Sequence, residues 1–161
     1  MSEDDGLLRL HRDKVRPEWL DYNGHMNETF YLLVFSQATD EFMELIGIGE
    51  EGRKRTGHSI YTVETHITYQ QEVGRWDPVE VTAQLIDLDD KRFHLFQVMY
   101  HGETGAPLAT GEMMLLNVDT AGPKAAPFDP QVKAKLDEIF ARQKDLPRPK
   151  EVGRSIGIRR K

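Results

Sequence analysis

The sequence predicts an α+β fold in which an antiparallel sheet wraps around one long central helix. Three observations carry this expectation. A dense apolar run from Phe30 to Ile46 follows a capping residue, Asn27. Four strand-like segments then occupy Ser59 to Val118. The connections between the late strands are too short for helical crossovers, so those strands must be antiparallel neighbours.

Taken in order, Leu7 to Val15 reads as a first strand, ended by Arg16-Pro17. A polar loop, Glu18 to Asn27, leads into the helix, where the Asn27 side chain can accept a first-turn amide. The helix carries Phe30, Tyr31, Leu32, Leu33, Val34 and Phe35 in its first half, and Gly47 and Gly49 end it. So apolar a start predicts burial on most sides. The polar residues that follow interrupt it too soon for a membrane span. Glu50 to Gly57 is charged and reads as a surface connection. Ser59 to Val73 reads as a long strand with Tyr61, Val63, Thr65, Ile67 and Tyr69 on one face. Its other face carries Ile60, Thr62, Glu64, His66 and Thr68.

Val79 to Leu85 alternates as a half-buried strand, and Phe93 to Tyr100 follows after a turn at Leu88 to Lys91. Leu108 to Val118 is apolar on both faces at Met113 to Leu116, as a central strand would be. Asp129-Pro130 supplies an N-cap and first helical residue, and Val132, Leu136, Ile139 and Phe140 follow at helical spacing. Residues 1–145 are expected to form one domain. Residues 146–161 form a basic tail with two prolines, two glycines and five cations after Pro149.

At 161 residues the chain suits one domain with a real core. Its net charge of -6 argues against nucleic-acid binding. There is no cysteine, which excludes disulfides, thiol nucleophiles and thiolate metal sites. The acidic start, Met-Ser-Glu-Asp-Asp, is unlike a signal peptide, so a cytoplasmic protein off the membrane is expected.

Asp21, Asn23, His25 and Asn27 set four chemically capable side chains within one short loop. Turn chemistry accounts for each of them singly, as turn formers, a cap and a loop histidine. Together, at the positive end of a buried helix, they also make a candidate site. Free amides there can hold an oxyanion, and an upstream carboxylate can serve as nucleophile or general base. No metal or cofactor is expected, because the spacing of His66, His94 and His101 fits no zinc site.

The order of elements, with D-x-x-G-H-M-N before the helix, resembles the hotdog-fold acyl-CoA thioesterases of the 4-hydroxybenzoyl-CoA thioesterase type, over roughly Leu7 to Asp119. The resemblance implies that Asp21 is the catalytic carboxylate and that the Glu28 amide polarises the thioester carbonyl. The spacing D-x-N-x-H-x-N also resembles the plant acyl-carrier-protein thioesterases, adding Asn23, His25 and Asn27 to the catalytic set. The aryl-CoA enzymes have an apolar residue where His25 stands. Over nearly the full length, W-L-D-Y-N-G-H-M-N, Y-T-V-E-T-H, R-F-H-L-F and G-R-S-I-G resemble the betainyl-CoA thioesterases of bacterial carnitine breakdown. That implies a short acyl-CoA substrate carrying a quaternary ammonium. A sheet with one helix on one face leaves an open edge and a second face, so a homodimer, or a tetramer of paired dimers, is expected.

A trimethylammonium group offers no hydrogen-bond donor, so its recognition needs aromatic faces. Trp19, Tyr22, Tyr31 and Tyr61 are the candidates, with Glu64 as countercharge. His66 shares a strand face with Glu64, and that face would complete a pocket from a partner chain. The same aromatics also suit a core. Arg154, Arg159 and Arg160 are either a solvated tail or a clamp for coenzyme A phosphates. Two rival functions are a hotdog enoyl-CoA hydratase, whose longer motif is missing, and a non-catalytic acyl-CoA-binding module, which would not need Asp21. A thioesterase for another small acyl- or aryl-CoA is the nearer alternative.

Overall fold

Asn27 caps the central helix. Its side-chain oxygen accepts from the Thr29 amide at 3.0 Å and the Thr29 hydroxyl at 2.7 Å, and α1 runs Glu28–Leu45. This computed structural model describes residues 4–161. Met1 to Glu3, the beginning of the acidic start, lie outside the described residues.

A strand β1 (Leu8–Lys14) precedes α1, and a short helix α2 (Glu50–Thr56) follows it. Then come β2 (His58–Tyr69), β3 (Pro78–Leu88), β4 (Arg92–His101), β5 (Pro107–Asp119), the two-residue β6 (Lys124–Ala125) and α3 (Pro130–Gln143). The sheet order is β1-β3-β4-β5-β2, with β6 paired to β5 and every pairing antiparallel. This is the curled sheet around one helix that the hotdog resemblance implies.

The helix buries Tyr31, Val34, Phe35, Ala38, Thr39 and Phe42, spaced three and four apart to form one stripe. The stripe sits against the sheet where Gly111 of β5 leaves room. A Cβ added at Gly111 would lie 2.9 Å from the Phe35 ring, so the close approach requires glycine. Gln97 Nε2 donates to Thr39 Oγ1 at 2.9 Å, which gives the buried amide nitrogen an acceptor inside this packing.

Three expectations need correction. Burial of α1 is confined to the stripe: Leu32 is 44 % exposed and Leu33 37 %. The segment after α1 is a surface connection, as its charge suggests, but most of it is helical. Glu50 and Glu51 stand in the first turn of α2 and Arg53, Lys54 and Arg55 in the last, each sign at its favourable dipole end. The faces of β2 are also mixed. A bulge between Thr62 and Glu64 leaves Val63 out of register. Thr65, Ile67 and Tyr69 oppose Met113, Gly111 and Ala109, on the helix side of the sheet. Tyr61 opposes Leu116 and shares the outer side with Glu64 and His66.

The tail 146–161 forms neither helix nor strand, and its first half crosses the outer side of the sheet. Gln84 donates to the Pro147 carbonyl at 3.4 Å, and Gln70 donates to Glu151 at 3.3 Å. The Gly153 amide donates to both Glu112 oxygens, at 2.9 and 3.1 Å. Among the described residues no helix is long and apolar enough to cross a membrane.

Candidate active site

The loop before α1 closes as a miniature hairpin. The Asp21 amide donates to the His25 carbonyl at 2.9 Å, and the Gly24 amide to the Asp21 carbonyl at 3.0 Å. Gly24 holds a φ of 78°, a left-handed conformation that glycine adopts without strain. Further in, Leu20 bridges Met26, and the Asn27 amide reaches the Trp19 carbonyl at 2.8 Å. The base of the hairpin is pinned to the chain beyond β2: Met26 donates to the Val73 carbonyl at 2.8 Å, and His25 bridges Gly74.

Beside the pinned hairpin lies a cleft of about 570 Å³, and Asp21, Asn23, His25, Met26 and Glu28 line it. Tyr31, Tyr69, Gln70, Gln71 and Glu72 line it as well. The Asp21 carboxylate is half-buried, and its Oδ1 accepts from the Asn23 amide at 2.8 Å and the His25 amide at 3.4 Å. Its second oxygen, Oδ2, has no protein donor among the described residues. At the start of α1 the Thr29 amide goes to the Asn27 side chain and the Phe30 amide to the Asn27 carbonyl. The Glu28 amide has no acceptor among the described residues. Asp21, with a free carboxylate oxygen, and Glu28, with a free helix-end amide, thus both line one cleft.

Two tyrosines wall it. Their rings meet edge to face, 5.1 Å between centroids and 88° between planes. Tyr31 donates to the Gln71 carbonyl and Tyr69 to the Glu28 carbonyl, each at 3.2 Å. Burial pushes the Tyr31 hydroxyl up to about 12, with the charges of Tyr69, Glu72 and Asp21 acting the same way. Tyr69 is raised as well, by burial and then by Glu28. Among the described residues, Asp21, Glu28 and Glu72 line the cleft, and no lysine or arginine does.

The other expected site residues are distributed differently. Trp19 is buried, stacked on Phe30 at 5.5 Å with the Arg16 guanidinium 4.8 Å from its ring centroid, and does not line the cleft. Tyr22 is 98 % exposed at the hairpin tip. Asn27 serves as the cap. Tyr61, Glu64 and His66 lie on the outer side of the sheet. There, Glu64 and His66 line a second cleft of about 440 Å³ with His94, Glu112 and Arg154. In it His94 Nε2 lies 2.6 Å from Glu112. Arg159 and Arg160 are exposed and make no ion pair among the described residues. Tyr69 and Gln70 to Glu72 were not expected at the site. The polar run Gln70-Gln71-Glu72, which breaks the alternation of β2, was the available signal.

A profile of the thioesterase-like superfamily matches residues 15–136. The chain is 43 % identical to a betainyl-CoA thioesterase of Pseudomonas aeruginosa over 152 residues, covering 94 % of this chain and 96 % of that protein. It is 39 % identical over 155 residues to an L-carnitine dehydrogenase/betainyl-CoA thioesterase of Rhizobium meliloti. That match covers 96 % of this chain and 31 % of the relative. Among solved structures, a Staphylococcus aureus protein in complex with CoA superposes with a TM-score of 0.88 at 26 % identity, over 95 % of this chain and 97 % of that one.

Proposed function

We propose, for a chain that belongs to the thioesterase-like superfamily and is a thioester hydrolase of the hotdog fold, that its substrate is betainyl-CoA, cleaved to betaine and CoA in the cytoplasm. The observation that carries the mechanism is the shared cleft of Asp21 and the Glu28 amide. Asp21 Oδ1 is held by the loop amides, so Oδ2 is the atom that takes a proton from water or attacks the thioester carbon. The carbonyl oxygen gains negative charge as the new C–O bond forms, and the Glu28 amide at the helix end stabilises it. Collapse breaks the C–S bond, and CoA leaves as a thiolate that takes up a proton. If Asp21 attacks first, water then cleaves the resulting anhydride. Asn23 and His25 border the same space, and Asn27 fixes the helix end that presents the amide.

Relatives that carry an L-carnitine dehydrogenase alongside the thioesterase support a place in carnitine breakdown. For the CoA end we propose the basic tail, where Arg154, Arg159 and Arg160 are cations without protein partners among the described residues. We further propose a homodimer built along β2. That strand is a twelve-residue sheet edge with Tyr61 and Val63 exposed, the kind of edge that pairing with a second copy covers.

The test is thiol release across betainyl-, acetyl-, 4-hydroxybenzoyl- and crotonyl-CoA. Betainyl-CoA is expected to give the highest kcat/KM. A higher value for a neutral or aryl thioester overturns the substrate. Loss of the crotonyl absorbance without free thiol indicates hydration instead.

A further inference from the structure

The thioester carbon of a betainyl group lies one methylene away from its ammonium nitrogen. Whatever reads that cation must therefore border the cleft that holds Asp21 and the Glu28 amide. This excludes most of the aromatic residues that the sequence brings to mind. One side of Trp19 is stacked on Phe30, and a guanidinium already lies near its ring. Tyr22 projects into solvent, and Tyr61 lies across the sheet with Glu64.

Two residues of the lining remain. Tyr69 lines the cleft and is 49 % exposed, so part of its ring is open to a ligand. Its position is fixed at both ends, by the edge-to-face contact with Tyr31 and by its hydroxyl on the Glu28 carbonyl. Glu72 also lines the cleft, three residues further along the chain. We infer that Tyr69 and Glu72 are the specificity determinants for a quaternary ammonium acyl group, with Tyr31 holding the Tyr69 ring in place. An aromatic ring attracts such a cation through its quadrupole, and a carboxylate supplies the countercharge without needing a donor.

The cleft as a whole supports the assignment. Among the described residues three acidic residues and no lysine or arginine line it, and the charges of Glu72 and Asp21 already act on the Tyr31 hydroxyl. A field of that sign repels the CoA phosphates and attracts the ammonium, so it also decides which end of the substrate enters. The inference rests on the betainyl-CoA reading and adds the residues that enforce it.

The experiment compares betainyl-CoA with 3,3-dimethylbutyryl-CoA, an uncharged isostere, in wild type, Tyr69→Phe, Tyr69→Leu and Glu72→Gln. The readout is the ratio of the two kcat/KM values, with kcat and KM resolved for each. Tyr69→Leu should lower the ratio about fivefold, mainly through KM for the cation. Tyr69→Phe keeps the ring and should keep the ratio. Glu72→Gln should lower it by about two- to fivefold, less at high salt. A purely structural role would depress both substrates alike and leave the ratio where it was. If wild type favours betainyl-CoA and neither Tyr69→Leu nor Glu72→Gln moves the ratio, the assignment falls while the substrate stands. If wild type shows no preference, both fall.

Discussion

Replacing Asp21 by asparagine and by alanine separates its chemistry from its place in the loop. Asparagine retains an oxygen where Oδ1 accepts from the Asn23 and His25 amides, so the hairpin should hold with a stability loss below about 1 kcal/mol. Alanine removes the acceptor and should cost roughly 1–2 kcal/mol, since both bonds are lost at a half-buried site. Both variants lack the proposed base or nucleophile. Each should therefore lose about 10²- to 10⁴-fold in kcat, or roughly 3–5 kcal/mol of transition-state stabilisation. The assay is steady-state thiol release beside thermal melts of the same preparations. Activity should collapse equally in both variants while only alanine lowers Tm appreciably. Near-normal turnover in the asparagine variant would refute the assignment. So would activity that tracked the fraction folded.

Two further outcomes are expected. Light scattering at assay concentration should give at least twice the chain mass, and Val63→Lys, on the exposed bulge of β2, should shift it toward one chain; a fully active wild-type monomer would rule the dimer out. Asp129 caps α3 and pairs with Arg55 at 2.8 Å, and the guanidinium hydrogen bond leads the causes that hold its carboxyl below the ordinary 3.8. A lowered folded pKa gives stability that is complete above 3.8 and lost as pH falls through the folded value, so the Tm gap between wild type and Asp129→Asn should be open at neutral pH and close in strong acid. A gap that stays constant into strong acid would show that the ion pair does not contribute.

What the sequence made legible is what local chemistry decides. A cap, an apolar run and alternating strands each declare themselves within a dozen residues, and Asp21 to Asn27 lie within one loop. The helix α2 escaped because it buries no residue and so carries no apolar stripe; its end charges stabilise it instead. The bulge at Val63 escaped because its neighbours keep a regular alternation in sequence, and only the register with β5 reveals that Tyr61 has changed sides. Tyr69 and Glu72 reach the site through tertiary bonds, Met26 to Val73 and His25 to Gly74, that no local pattern encodes.

The charge distribution then relates the two ends of the proposed substrate to two parts of the protein. Gln70 borders the acidic cleft and also holds Glu151 of the tail, so the tail passes beside the cleft as it crosses the sheet. Gly153 is fastened to Glu112, and four cations of the tail follow from Arg154 onward. A betainyl thioester is itself polarised, with a fixed cation at its acyl end and phosphates at its nucleotide end. Neutralising the tail should therefore weaken every acyl-CoA alike, because all share the phosphates. Neutralising Glu72 should weaken only those with a cationic acyl group. Charge changes at the two places are expected to be additive in binding free energy, since they touch opposite ends of one ligand and share no partner. Combining Arg154→Ala with Glu72→Gln tests this directly: a KM change for betainyl-CoA that departs from the product of the single effects would show that both charges act on the same group.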